Sequence, residues 1–377
     1  MQRILEKRCN PRMSGGHENV TKCIRRAGIP DGLQAVPERV RGASRKQSGL
    51  KAKIITSPRE ERDLDITLKK TDLMMPHACR LFACLLAGFS LAALANDQPP
   101  LSRQVAGGDS VYIVQPGDFL IAIGARFGIP PTLLAQGNAV PYEALIHPGQ
   151  RFLIYNPHIV PAMLDDGILI NIPQGMLFQF SQGKLLAAYP VGLGKPSWPT
   201  PKGEFKILSR VKSKTWKVPV SIQEEMRREG KAVLQEVPPG PDNPLGAHWL
   251  GLSLGGYGIH GTIAPSSVYH FRSHGCIRLH PDDIAELFDR VAVGHTGILV
   301  YQPVLLAATE DGRILLEVHQ DIYNKGVDPA QTVRDMAEAN GLSQDIDWLR
   351  VDAVIAAQEG LAREVGRQTR TGLKGTP

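Results

Sequence analysis

The sequence predicts a mainly β central domain with minor helices, preceded by a small α/β unit and followed by a partly helical extension. Three observations carry this reading. Between residues 164 and 302, short apolar runs alternate with turn residues, and helical periodicity is scarce. Between residues 111 and 156, two strand-like runs flank two short helical patterns. From Pro329 to Arg367 the chain reads as alanine-rich helix.

In the first unit, Val111-Tyr112-Ile113-Val114 is a strand and Gln115-Pro116-Gly117-Asp118 a turn, with Asp118 placed to cap the helix that follows. Phe119, Ile123 and Phe127 recur at helical spacing up to Gly128. Pro130-Pro131-Thr132 opens a second helix that ends near Gly137-Asn138, and His147 to Gln150 turns the chain into a strand from Arg151 to Tyr155.

In the central domain, Gly167 to Ile172 is strand-like, and Leu177 to Tyr189 reads as a hairpin about Gln182-Gly183. Further strands are expected at Glu204 to Val211, His248 to Leu254 and Ile298 to Tyr301. One helix is clear: it opens at Pro281, has Asp282 and Asp283 in its first turn, and places Ile284, Leu287, Phe288 and Val291 on one face. In the extension, Leu305 to Val318 forms a hairpin around Asp311-Gly312, with only a packing role expected for residues 303–377.

The formal charge of the 377-residue chain is +6, but it is unevenly spread: residues 1–73 carry a net +8 and residues 96–377 a net −3. The basic excess therefore lies outside the folded part, which argues against a nucleic-acid partner. The run Leu81 to Ala92 is too short to span a bilayer. Arg80 precedes it and Ala93-Leu94-Ala95 follows with small residues at the cleavage positions, so residues 74–95 read as a secretory signal peptide. With Met74 and Met75 just upstream, residues 1–73 read as a non-native or disordered leader, and residues 96–110 as a polar linker. No stable membrane anchor is expected, because the apolar run continues past Cys84.

Of Cys9, Cys23, Cys79, Cys84 and Cys276, only Cys276 lies after the cleavage point. A single thiol in an oxidising compartment is a candidate reactive group. Its surroundings strengthen that reading: Tyr257-Gly258-Ile259-His260-Gly261-Thr262, a polar loop, then Ser273-His274-Gly275-Cys276-Ile277-Arg278-Leu279. A thiol attacks an amide carbonyl as thiolate, which needs a base or a positive field nearby. His260 lies 16 residues before Cys276, enough for a loop to return it beside the sulfur, and is preferred over His274 as the base. His274 is then a support or part of an oxyanion wall. Glycines at 261 and 275 allow close backbone approach and free amides. Arg278 shares the face of Cys276 if the backbone is extended, and suits a substrate carboxylate.

These residues are the pattern of the L,D-transpeptidase family with its YkuD-like catalytic domain, which the segment 164–302 resembles. Tyr189 to Gly194, Thr200 to Phe205 and Pro239 to Gly246 add to the resemblance. It implies a YkuD-like β-sandwich, with Cys276 as acyl-enzyme nucleophile, His260 as its base, the Gly261 carbonyl orienting the imidazole, and Ser273 and Arg278 at the substrate. It also implies a tetrapeptide stem of peptidoglycan as donor, cut between the L-centre of diaminopimelate and the terminal D-alanine. The acceptor is a second diaminopimelate, giving a 3–3 cross-link, or the terminal lysine of an outer-membrane lipoprotein. No metal or organic cofactor is required, carbapenems acylate the cysteine, and the compartment is the periplasm.

The unit at 111–156 is similar to a LysM domain through Tyr112, Val114, Gly117-Asp118, Phe119, Ile123, Phe127-Gly128, Leu133, Asn138, Pro148-Gly149-Gln150, Phe152 and Ile154. That likeness implies binding to the wall glycan. Three alternatives stand beside the transpeptidase. They are a zinc site from His270, His274, His280 and Cys276, whose spacing Gly275 and Pro281 break; an L,D-carboxypeptidase using the same acyl-enzyme; and a non-catalytic wall-binding protein.

Overall fold

The computed structural model describes residues 101–368. The leader, the signal peptide, the start of the linker and the tail from 370 lie outside the described residues. The first unit contains β1 (Val105–Ala106), β2 (Asp109–Ile113), α1 (Leu120–Phe127), α2 (Pro131–Gly137), β3 (Arg151–Tyr155) and β4 (His158–Ile159). β2 and β3 pair antiparallel with Val111 opposite Leu153. Alternation in β3 sends Phe152 and Ile154 inward, where Val114, Leu120, Ile123 and Leu134 complete a small core. α1 stops at Gly128 (φ 67°), whose amide bonds the Gly124 carbonyl.

Two expectations for this unit are corrected. Asp118 does not cap α1; Phe119 holds the N-cap position with no side-chain cap. The Asp118 carboxylate instead accepts from the Tyr112 hydroxyl (2.7 Å) and the Gln115 amide (2.7 Å), closing the turn before the helix. The linker reading also fails over its described part. β1 pairs with β4, Val105 opposite Ile159, and Ser102 donates to the Val160 carbonyl at 2.6 Å. A polar composition concealed a segment whose backbone is satisfied by pairing with a strand more than fifty residues away.

The central domain contains β5 (Gly167–Asn171), β6 (Met176–Ser181), β7 (Lys184–Pro190), β8 (Leu193–Gly194), β9 (Gly203–Lys212), β10 (Trp216–Lys217), α3 (Val220–Arg228), β11 (Glu236–Val237), β12 (His248–Leu252), β13 (Gly258–His260), β14 (Phe271–Ser273), β15 (Ile277–Arg278), α4 (Pro281–Arg290) and β16 (Thr296–Val300). Eight strands form one sheet in the order β15-β13-β12-β9-β16-β5-β6-β7. Its core joins Ile168, Ile170, Leu177, Phe205, Ile207, Leu250, Ile259 and Ile277 to Ile284, Leu287 and Phe288 of α4. The mainly β expectation holds. α4 starts at Pro281 as expected, with the His280 side chain accepting from the Asp282 amide. α3 was not anticipated, because none of its residues is buried and no deep apolar stripe marks it.

The extension contains β17 (Val304–Ala308), β18 (Arg313–Val318), α5 (Pro329–Ala339), α6 (Trp348–Ala357) and β19 (Arg363–Arg367). The hairpin about Asp311-Gly312 forms as expected, and β19 completes a three-stranded sheet β17-β18-β19. Helix was expected through Arg367, and this is corrected. Gln358 (φ 44°) and Gly360 (φ 70°) turn the chain out of α6, and residues 363–367 pair with β18 instead. Among the described residues, no helix is long and apolar enough to cross a membrane.

Candidate active site

The sheet order explains how residues far apart in sequence share one face. β13 and β15 run parallel, with Ile259 opposite Ile277 and His260 opposite Arg278. β12 adds Trp249 opposite His260, and β9 adds Val211 opposite Trp249. One rung therefore reads Val211, Trp249, His260, Arg278. Strand alternation sends Ile259 and Ile277 into the core and leaves His260 and Arg278 on the other face. Cys276 lies two residues before Arg278 on that same face, and continuing the parallel register sets it beside Gly258. One step between adjacent strands and two residues along them separate Cys276 from His260, roughly 8 Å between Cα atoms at ordinary strand spacings, within reach of two side chains on one face.

His260 is 3% exposed, with its Nδ1 2.6 Å from the Gly261 carbonyl. A carbonyl only accepts, so Nδ1 carries the proton and Nε2 keeps a free lone pair. The Trp249 indole stacks on the imidazole at 5.7 Å and 21°. Its six-membered ring also fills the space over Gly258, where a Cβ would come within 2.4 Å.

The turn before Cys276 depends on Gly275, at φ 99°, where a Cβ would lie 2.4 Å from Tyr257 Cε1. Its amide is not free: it donates to Ser273 Oγ at 3.1 Å, and that hydroxyl donates to the Cys276 carbonyl at 2.6 Å. The Gly275 amide is thus engaged within the turn, and Ser273, 2% exposed, ties the turn before Cys276 together. The Gly275 carbonyl accepts from Thr200 Oγ1 (3.0 Å), which also accepts from the Gly194 amide (2.9 Å).

Burial sets the charges. It holds the His260 imidazole down to about 4, with Arg278 adding to the effect and the Gly261 and Leu245 carbonyls opposing it. Burial also pushes the Cys276 thiol up, against the Gly258 backbone bond and the Arg278 charge, which pull it down. Burial thus holds both the thiol and the imidazole toward their neutral forms, an arrangement suited to proton transfer from sulfur to ring. Burial lowers Arg278 too, and no carboxylate among the described residues pairs with it.

Several participants escaped the sequence reading. His274 donates from Nε2 to Glu225 of α3 and packs against the edge of Trp198. Lys195 reaches the other oxygen of Glu225 at 2.7 Å. His280 meets Arg126 of α1, so it and His274 engage different partners and do not converge. Tyr323, from the extension, donates to the Gly194 carbonyl (2.8 Å) and accepts from the Thr200 amide (3.1 Å). The extension thus supports the Gly194 and Thr200 loops that hold the turn before Cys276, beyond the packing role expected of it. Pairwise register of this kind has no trace in local sequence, although the Thr200 and Gly194 motifs did flag those loops.

Residues 165–305 match the L,D-transpeptidase catalytic domain and residues 112–154 the LysM domain. The probable L,D-transpeptidase ErfK/SrfK of Salmonella typhimurium is 29% identical over 74% of this chain and 93% of its own length. The probable L,D-transpeptidase YcfS of Escherichia coli is 30% identical over 66% of this chain and 80% of its own. The YkuD protein of Bacillus licheniformis is 32% identical over 49% of this chain and 94% of its own. The chain belongs to the L,D-transpeptidase family.

Proposed function

We propose that the protein is an exported L,D-transpeptidase that acts on tetrapeptide stems of peptidoglycan through a thioester on Cys276. The observation that carries this is the shared sheet face: a thiol, an imidazole whose Nδ1 is tied to a carbonyl, and an unpaired guanidinium. Cys276 Sγ attacks the donor carbonyl as His260 Nε2 takes the thiol proton. That proton passes to the departing D-alanine amine, leaving a thioester. An acceptor amine then attacks the thioester, His260 takes its proton, and the sulfur leaves and is reprotonated. Gly261 orients the base, His274 and Gly275 shape the nucleophile turn, and Arg278 holds a substrate carboxylate.

The acceptor is a diaminopimelate amine, giving 3–3 cross-links, or the lysine of an outer-membrane lipoprotein. The LysM-like unit at 111–156 holds the enzyme on wall glycan in the periplasm, and the catalytic domain spans 164–302, with an accessory region at 303–377. The test is mass spectrometry of the protein with a purified disaccharide-tetrapeptide and, separately, with a carbapenem. The expected results are a 3–3 dimer and a covalent adduct, both abolished by Cys276→Ala. A tripeptide product alone would make the enzyme an L,D-carboxypeptidase. Folded wild type giving neither product nor adduct would leave only the wall-binding reading.

A further inference from the structure

The turn Asn243-Pro244-Leu245-Gly246 lies against the base and has no role in the acyl transfer described so far. Asn243 is 1% exposed, yet its side chain is fully engaged. Nδ2 donates to the carbonyls of Lys214 (3.0 Å), Val237 (3.1 Å) and Pro238 (3.1 Å). Oδ1 accepts from the Leu245 amide at 3.0 Å, and the Asn243 carbonyl accepts from the Gly246 amide at 3.0 Å. One buried amide thus ties the chain just after β9, the end of β11 and the Leu245 amide together. Two N–H groups shared among three carbonyls, with the accepting oxygen beside them, make a stiff anchor.

The stiffness is delivered to the catalytic base. The Leu245 carbonyl oxygen lies against the Gly261 backbone, 3.5 Å from where a Cβ on that residue would stand, and it favours the protonated His260 ring, as the Gly261 carbonyl does. Gly246 (φ 67°) lies so close that a Cβ there would be 2.9 Å from the Thr262 amide and 3.1 Å from the Gly261 carbonyl carbon. The Asn243 turn and the His260-Gly261-Thr262 segment are therefore packed backbone to backbone.

We infer that Asn243 is a positioning residue for the base: its Oδ1 holds the Leu245 amide and its own carbonyl holds the Gly246 amide, and together these fix the turn that sets the Leu245 carbonyl toward His260, where that carbonyl stabilises the imidazolium formed when the thiol or acceptor amine gives up its proton. This rests on the reading of His260 as the base. A carbonyl aimed at a developing positive charge acts as preorganised dipole stabilisation, and displacement of it by about 1 Å can cost on the order of 100-fold in rate.

The test compares wild type, Asn243→Ala and Gly246→Ala. The glycine variant displaces the same turn without touching Asn243, so it serves should Asn243→Ala fail to fold. Two readouts need no peptidoglycan substrate: titration of the His260 ring by NMR, and the pH profile of Cys276 alkylation by iodoacetamide. Expected are folded variants in which His260 titrates below its wild-type value and alkylation at neutral pH slows about 10-fold or more. Turnover falls with it while KM moves little. Folded variants with unchanged His260 titration and unchanged alkylation overturn the inference. Wild type that alkylates normally but transfers no acyl group overturns the proposed function and leaves the Asn243 result standing.

Discussion

The Gly261 carbonyl lies 2.6 Å from Nδ1 of His260, and this contact fixes which nitrogen of a buried imidazole faces the thiol. It accepts only, so the proton is held on Nδ1 and Nε2 is left basic. Burial holds the ring down to about 4, so it stays neutral far below the ordinary histidine range. The rate needs the neutral ring. A profile of kcat/KM against pH should therefore run flat below neutrality and fall only as pH drops through about 4. An acid limb near the usual histidine value of about 6.5 would mean a base open to water.

Gly275 bears on the nucleophile in the same direct way. Its φ of 99° is costly for any residue with a Cβ, and that Cβ would meet Tyr257 at 2.4 Å. Gly275→Ala should relieve both by moving the turn, breaking the Ser273 bonds that set the Cys276 peptide. Expected are a stability loss of about 1–3 kcal/mol and a rate loss of about 100-fold, since the nucleophile is misplaced. Thermal unfolding and the rate of acylation by a carbapenem check the two effects separately. Unchanged acylation would show that the turn tolerates a side chain.

How far the sequence carries is clear from these two residues. The alternation Gly258-Ile259-His260 and Cys276-Ile277-Arg278 announces two strands with one face apolar, and the glycines announce tight backbone. What it does not contain is the pairing: that His260 stands opposite Arg278 and Trp249 follows from an eight-stranded order set by packing. Glu225 was invisible because α3 buries nothing. The strand at 363–367 was hidden because its partner is β18, about fifty residues earlier. The Asp118 and Ser273 hydroxyl or carboxylate groups were read for plausible partners, and the fold supplied nearer ones.

Glu225 yields a prediction of its own. Its contacts with Lys195 and His274 hold the carboxyl down to about 2, the Lys195 bond contributing most. α3 has no buried residue, so these polar contacts are a principal tie between it and the nucleophile turn. Glu225→Gln should loosen α3. Limited proteolysis within residues 220–234 is expected to quicken, and acylation of Cys276 to slow about 10-fold as His274 loses its anchor. Equal proteolysis of variant and wild type would show that α3 is held by something else.

The last prediction concerns the joint between the three regions. Glu317 of β18 is 0% exposed, and its carboxylate accepts from His158 Nδ1 (3.0 Å), His319 Nε2 (2.8 Å), Gln174 Nε2 (2.9 Å) and the Ile159 amide (2.5 Å). His158 Nε2 lies 2.9 Å from the Gly128 carbonyl, so the ring bridges β18 and the end of α1. Burial alone raises the Glu317 carboxyl, but His158 and His319 together outweigh it and hold it down to about 2. The folded-state value is depressed, so the contribution to stability is whole above the unfolded value of about 4.5. Between about 4.5 and about 2 the unfolded chain takes up a proton that the folded chain refuses, and stability is lost through that window. Glu317→Gln removes the charge and leaves the two histidines against a neutral amide, a loss of about 3–5 kcal/mol. Urea unfolding of both proteins across pH 2 to 7 checks this. Wild type should weaken as pH falls below about 4.5, and the variant should be weaker at pH 7 with a much flatter acid slope. Parallel curves would mean that the joint contributes packing and not charge.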